Sequence, residues 1–244
     1  LTFTCLFIYP LTIDKMWADI VLVLGSYIFG SIPHLPLLAR LRRVELDGDF
    51  HENLWYRAGR IVGVMGVLGE FVKGALPVLV AKSLDFGLAT VAIAGLAAVC
   101  GQMWPVFLSF DGEKGNSIAL AVVITLIPIP GLVAVIPVVI ALIIRTAPRL
   151  IAKSGKPGDK SIVGGPYSRS LPVGMFICFL ILPFVSWYFG EPAEIIWCCA
   201  ALYVLIMIRR LTAGLSEDLK VSRDIGSILL RRLLFDRAAA RWRR

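Results

Sequence analysis

Thirty consecutive residues, Gly115–Ile144, carry no charge, and that stretch limits the possible folds more than any other feature. As one helix it would run about 45 Å, well past a hydrocarbon core of about 30 Å. Pro128, Pro130, Gly131 and Pro137 punctuate it, which predicts a division near Pro128–Gly131 into two short helices. Five further stretches are apolar enough to span: Met16–Ala39, Arg60–Ala81, Gly87–Phe110, Ser170–Gly190 and Pro192–Ile208. Only Asp19 interrupts the first, while Glu70 and Lys73 lie inside the second. Charged residues make up 17 % of the chain, against about a quarter in soluble domains. Disorder, a disulfide scaffold and a compact soluble enzyme are thereby excluded. The expected fold is an all-α polytopic membrane protein of about seven transmembrane helices.

Charge placement supports that division. With seven spans, 22 of the 25 lysines and arginines fall on one side, in residues 40–60, 109–116, 145–170 and the tail from 209. A single span over 115–144 would move the 145–170 segment and the tail, with 16 basic residues, to the opposite side. The positive-inside rule therefore sets the N-terminus out and the C-terminus in. Residues 1–15, ahead of Met16, are read as an uncertain extension or upstream translation, 16–215 as the membrane domain and 216–244 as a basic cytoplasmic tail. In that tail Val221, Ile225, Ile228, Leu229 and Leu233 recur at helical spacing among Arg223, Arg231, Arg232 and Arg237. The pattern is that of a basic amphipathic helix, suited either to an anionic leaflet or to packing on the protein's own loops.

Polar groups gather at a few places on the basic side. The first span ends Gly30-Ser31-Ile32-Pro33, with Arg40, Arg42 and Arg43 following. Ser31 suits either a ligand or a bond back to its own helix. Glu70 and Lys73, three apart on one helix face, suit a functional role or a mutual ion pair. Asp47, Asp49 and Glu52 match no full calcium loop and read as a solvated acidic loop. With only His34 and His51, a histidine-rich metal site is not expected. His51 also lacks an aspartate five residues on, so the His–x4–Asp acyltransferase pattern is absent. The five cysteines (Cys5, Cys100, Cys178, Cys198 and Cys199) lie in apolar stretches without a CxxC pair and read as buried hydrophobes. The richest segment runs from Gly101 to Ser117, where Gly112-Glu113-Lys114-Gly115 leads into a new helix at Asn116 and Ser117. Small residues, a helix start and a lysine make a cradle for a phosphate, without the longer spacing of a nucleotide loop.

In order and spacing these residues resemble the bacterial membrane acyl-phosphate:glycerol-3-phosphate acyltransferase (PlsY) family. Gly30–Pro33 matches the end of that family's first span. Glu70, Lys73, Gly74 and Pro77 match its second helix. Gly101, Pro105, Phe107, Leu108, Phe110, Gly112, Lys114 and Gly115 fall in register with the end of its third, and Arg209–Gly214 with Glu217 echoes its last. The chain departs from the pattern elsewhere. Of the family's glycine-rich loop only Asn53 survives, Gln102 replaces a histidine, and Glu113 replaces the second glycine of the lysine loop. Val204 and Met207 stand where a histidine and an asparagine are expected.

The resemblance implies acyl transfer from acyl phosphate to the 1-hydroxyl of glycerol 3-phosphate, the first step of phospholipid synthesis. It assigns catalysis to Ser31, Arg40, Lys73 and Lys114. Substrate binding falls to Asn53, Gln102, Gly112, Gly115, Asn116 and Ser117. It calls for no cofactor, metal or nucleic acid. Membrane lipids and an anionic inner leaflet would surround a site facing the cytoplasm of a bacterial plasma membrane. Two other readings stay open: a catalytically silent paralogue that binds lipid or phosphate and regulates lipid synthesis, and an acyltransferase with a different acceptor. A transporter fits least, since the polar residues gather at one face rather than at mid-membrane.

Overall fold

A computed structural model describes residues 2–45, 50–151, 170–221 and 224–235. The readings placed on Asp47, Asp49, Arg223, Arg237 and the Glu52 side chain fall outside the described residues. Among the described residues all regular structure is helical. Helix α1 covers Thr2–Ser31, α2 His34–Leu41, α3 Phe50–Asn53, α4 Arg60–Ser83, α5 Leu88–Met103, α6 Asn116–Leu126 and α7 Pro128–Ile151. Then come α8 Ser170–Tyr188, α9 Ala193–Thr212, α10 Leu215–Val221 and α11 Ile225–Phe235. Among the described residues six stretches are long and apolar enough to cross a membrane, and α6, with 11 residues, is a further, shorter apolar helix.

The long apolar stretch does divide, at Ile127. The residue before a proline is driven out of the α region, and Ile127 adopts φ −135° and ψ 80°. Pro128 then opens α7, where its missing N–H costs nothing. The first span differs from expectation. Instead of one helix to Ala39, α1 ends at Ser31 and α2 restarts at His34. Pro33 and Pro36 cannot donate to the carbonyls one turn before them, Phe29 and Ile32, so the helix ladder fails there. The third span likewise stops short: α5 ends at Met103, before Pro105, rather than continuing to Phe110.

Helix α5 is the hub. Its span is 56 % buried, against 22–44 % for the others, and it packs on α1, α4, α6 and α9. Small residues permit this, as expected where lipid tails offer no hydrophobic gain and close packing must hold helices together. A Cβ at Gly30 would run into the Ala98 carbonyl, and one at Gly101 into the Tyr27 carbonyl, so α1 and α5 cross backbone to backbone. Gly101→Val is expected to destabilise the bundle by about 1–3 kcal/mol. Gly25→Ala, with nothing within 4 Å of the added carbon, should change stability by under about 0.5 kcal/mol. Thermal unfolding in detergent measures both, and equal shifts would remove the close crossing as their cause.

The described part of the basic tail folds back on the bundle. Helix α11 packs on α8 and α9, with Ile228 and Arg232 buried and Ile225 and Leu230 exposed. Arg232, which the sequence pattern puts among the surrounding basic residues, turns inward to pair with Asp218 at 2.6 Å. Its Nη1 also donates to the carbonyls of Leu211 at 3.3 Å and Ala213 at 2.6 Å, at the C-terminal end of α9. Arg210 reaches the other way, to the carbonyls of Pro172 and Leu233.

Candidate active site

Because Pro36 cannot donate, the Ile32 carbonyl lacks its helical partner. The Lys73 ammonium, 4 % exposed on α4, donates to it at 2.8 Å. Lys73 also donates to Gln102 Oε1, and Gln102 Nε2 donates to Glu70 Oε1 at 3.0 Å. Glu70 and Lys73 thus do share a face, but Gln102 bridges them. All three are buried, and in so apolar a setting each polar atom needs a partner.

The other Glu70 oxygen faces His51. His51 Nε2 lies 3.2 Å from Glu70 Oε2 and 3.4 Å from Glu113 Oε2. Burial works against the His51 imidazolium, but the Glu70 charge and hydrogen bonds to both carboxylates prevail and raise it to about 11. Burial and the nearby Glu70 charge push Glu113 up to about 7. Ser117, at the start of α6, hydrogen-bonds Glu70 as well.

The loop from Ser109 to Gly115 is pinned on both sides. The Gly112 and Glu113 amides donate to the Met103 and Gln102 carbonyls at 3.3 and 3.2 Å. Arg209 on α9 donates to the Gly112 and Glu113 carbonyls and pairs with Asp111 at 2.8 Å. Gly112 has to be glycine, since a Cβ would strike the Gln102 carbonyl; Gly115 holds φ 73° as the cap of α6. The amides of the cradle left without a preceding turn to bond are therefore those of the first turn of α6. The two amides before Lys114 hold the loop instead.

A small cavity opens beside this network, lined by Ser31, His34, Phe50, Gln102, Gly112 and Glu113 among others. Ser31 is buried and donates to its own helix at Tyr27, 2.8 Å away, which is the helix-bond arrangement. Asn53 is buried at the end of α3, and Lys114 is half-buried in the loop. Asn116 Oδ1 is buried without a hydrogen-bond partner. Arg40 is exposed on α2. The structure thus joins Lys73, Gln102, Gly112 and Ser117 through one network and leaves Arg40 outside it. Sequence reading missed His51, Glu113 and Arg209 as parts of the site. Glu113 and His51 stood in the sequence as departures from a pattern, and only folding shows that they meet.

Residues 20–214 match the family model described as glycerol-3-phosphate acyltransferase. A protein of that name from Geotalea daltonii is 41 % identical over 133 residues, 52 % of this chain and 69 % of that one. Glycerol-3-phosphate acyltransferase 5 of Dehalococcoides mccartyi is 27 % identical over 210 residues, 81 % of this chain and 80 % of the other. Among solved structures, the integral membrane glycerol 3-phosphate acyltransferase PlsY in its lysophosphatidic acid form superposes with a TM-score of 0.64. It shares 23 % identity, over 84 % of this chain and 93 % of that one. Its glycerol 3-phosphate form gives 0.62. Fold and site define an integral membrane protein with a buried, lysine-centred polar site. The chain belongs to the glycerol-3-phosphate acyltransferase family.

Proposed function

We propose that this protein transfers an acyl group from acyl phosphate to the 1-hydroxyl of glycerol 3-phosphate. The hydroxyl oxygen bonds to the acyl carbon as the acyl–phosphate C–O bond breaks, and the hydroxyl proton leaves on the departing phosphate. The products are lysophosphatidic acid and inorganic phosphate. Acyl phosphate is a mixed anhydride and already activated, so the protein has only to hold two anions together and stabilise the developing oxyanion. The observation that carries this reading is the buried Lys73 ammonium, fixed by Ile32 and Gln102 beside the loop that launches α6. Lys73 and Lys114 supply the charge and Arg40 steers from the entrance. The α6 start, with Gly115, Asn116 and Ser117, takes a phosphate. Ser31, whose proton is already given to Tyr27, turns its lone pairs toward the acceptor hydroxyl, with Asn53 and the unpartnered Asn116 Oδ1 as further acceptors. Gln102 and Gly112 act as positioning groups.

The weight of 22 of the 25 basic residues on the site's side supports a cytoplasm-facing site in a bacterial plasma membrane, with seven spans and the N-terminus out. Membrane lipids with an anionic inner leaflet then surround the basic tail.

The deciding experiment is phosphate release from palmitoyl phosphate by purified protein in detergent, with and without glycerol 3-phosphate. Release that depends on the acceptor, yields lysophosphatidic acid and falls at least about 100-fold in Lys114→Ala is expected. No release with any acceptor, from monodisperse folded protein, would remove the enzyme and leave a lipid-binding paralogue.

A further inference from the structure

We propose that His51, Glu70 and Glu113 form a binding site for a divalent transition-metal ion, Zn2+ or Mn2+. Ligand atoms bound tetrahedrally at about 2.0–2.1 Å lie about 3.3–3.4 Å from one another. His51 Nε2 stands 3.2 Å from Glu70 Oε2 and 3.4 Å from Glu113 Oε2, and the three ligand atoms lie within 4.8 Å of one another. They come from three separate parts of the fold, α3, α4 and the loop before α6, so folding alone assembles them. One imidazole with two carboxylates is a donor set that favours Zn2+, Mn2+ or Fe2+ over the all-oxygen preference of Mg2+ and Ca2+.

The surroundings also call for a positive charge at this point. Glu70 is buried and Glu113 largely so, a costly arrangement for two neighbouring carboxylates unless a positive charge balances them. Lys73 hydrogen-bonds Ile32 and Gln102, and Arg209 holds Asp111 and the loop carbonyls, so without a metal the balancing charge falls to a protonated His51, a role a divalent ion would take over. Two carboxylates, a neutral imidazole and a divalent ion sum to zero charge. The ligands are also held from behind. Gln102 occupies Glu70 Oε1 and leaves Oε2 toward His51, while the Glu113 backbone is bonded at its N–H by Gln102 and at its carbonyl by Arg209. Outer partners of this kind orient metal ligands. Glu113 lines the cavity, so the ion would keep an open position on that side. Metal binding stands independently of the reaction. Only the further role, an anchor for a substrate phosphate, rests on the acyltransferase reading.

The test uses the full chain in detergent, stripped with chelator and titrated with Co2+ alone, without acyl substrate. One equivalent of Co2+ per chain is expected, with the visible absorption of a low-coordinate cobalt site, displaced by Zn2+. His51→Ala and Glu113→Gln should each weaken binding at least tenfold. Zn2+ should raise the unfolding midpoint of the wild type and leave that of Glu113→Gln unchanged. Substoichiometric binding to folded wild type, or binding retained in both variants, would overturn the site and leave a protonated His51 locked between two carboxylates. Because no acyl transfer is measured, failure here leaves the acyltransferase reading untouched, and failure there leaves this result standing.

Discussion

Lys73→Met is expected to lower acceptor-dependent phosphate release by roughly 100- to 1000-fold, the range lost when a preorganised charge-stabilising group is removed from a water-poor site. Methionine keeps most of the side-chain volume, so the loss reports on charge and hydrogen bonding rather than on a cavity. It also leaves Gln102 Oε1 without its donor, at a cost of about 1–3 kcal/mol, while the Ile32 carbonyl keeps the His34 N–H at 2.9 Å. Lys73→Arg should not restore activity: a planar guanidinium cannot sit where one compact ammonium serves two acceptors a helix apart. The assay is palmitoyl phosphate turnover, on variants that elute as monodisperse protein. Activity within threefold of wild type in Lys73→Met would take Lys73 out of the chemistry.

Arg232→Met is expected to destabilise the protein by about 3–5 kcal/mol, because it leaves Asp218 charged and buried without its partner. Both side chains are almost fully enclosed, and Arg232 also satisfies carbonyls at the end of α9. Adding Asp218→Leu should recover most of the loss, since an apolar pair of similar volume needs no compensation. The thermal midpoint in detergent separates these variants. A single variant as stable as wild type would mean that α11 does not dock on α8 and α9 in solution.

What the sequence disclosed depended on the range of the interaction involved. The break at Ile127–Pro128 was legible because proline acts on its own turn and the residue before it. The second break, at Ile32–Pro33, obeyed the same rule, but Pro33 and Pro36 lay in a stretch so apolar that hydropathy outweighed them. Gly112 and Gly115 were legible as a tight turn, yet not the use of the Gly112 and Glu113 amides, which depends on the end of α5 coming back alongside. Ser31 left two outcomes open, and the Tyr27 carbonyl one turn earlier took the proton. His51, Glu70 and Glu113 are distant in sequence, and no local spacing announces them. The inward turn of Arg232 was hidden for a related reason: helical periodicity marks a face, while the buried acid that claims a charged side chain comes from another helix.

The brevity of α6 sets the depth at which charge is handled. Its 11 residues extend only about 16 Å, half of a hydrocarbon core of about 30 Å. Lys82, near the end of α4, holds the Thr125 and Leu126 carbonyls at 2.7 and 2.9 Å, so α6 finishes level with that end of the longer helix. Counting back along α6 puts Gly115 about 16 Å from that end, near the level of Lys73 on α4. Gly115 itself is buried, so the start of α6 is covered by protein at that level. On the proposed reading, an amphiphile whose tail stays among the lipids has to bring its polar end to that level, so membrane thickness joins chain length in deciding which molecules reach the lysines.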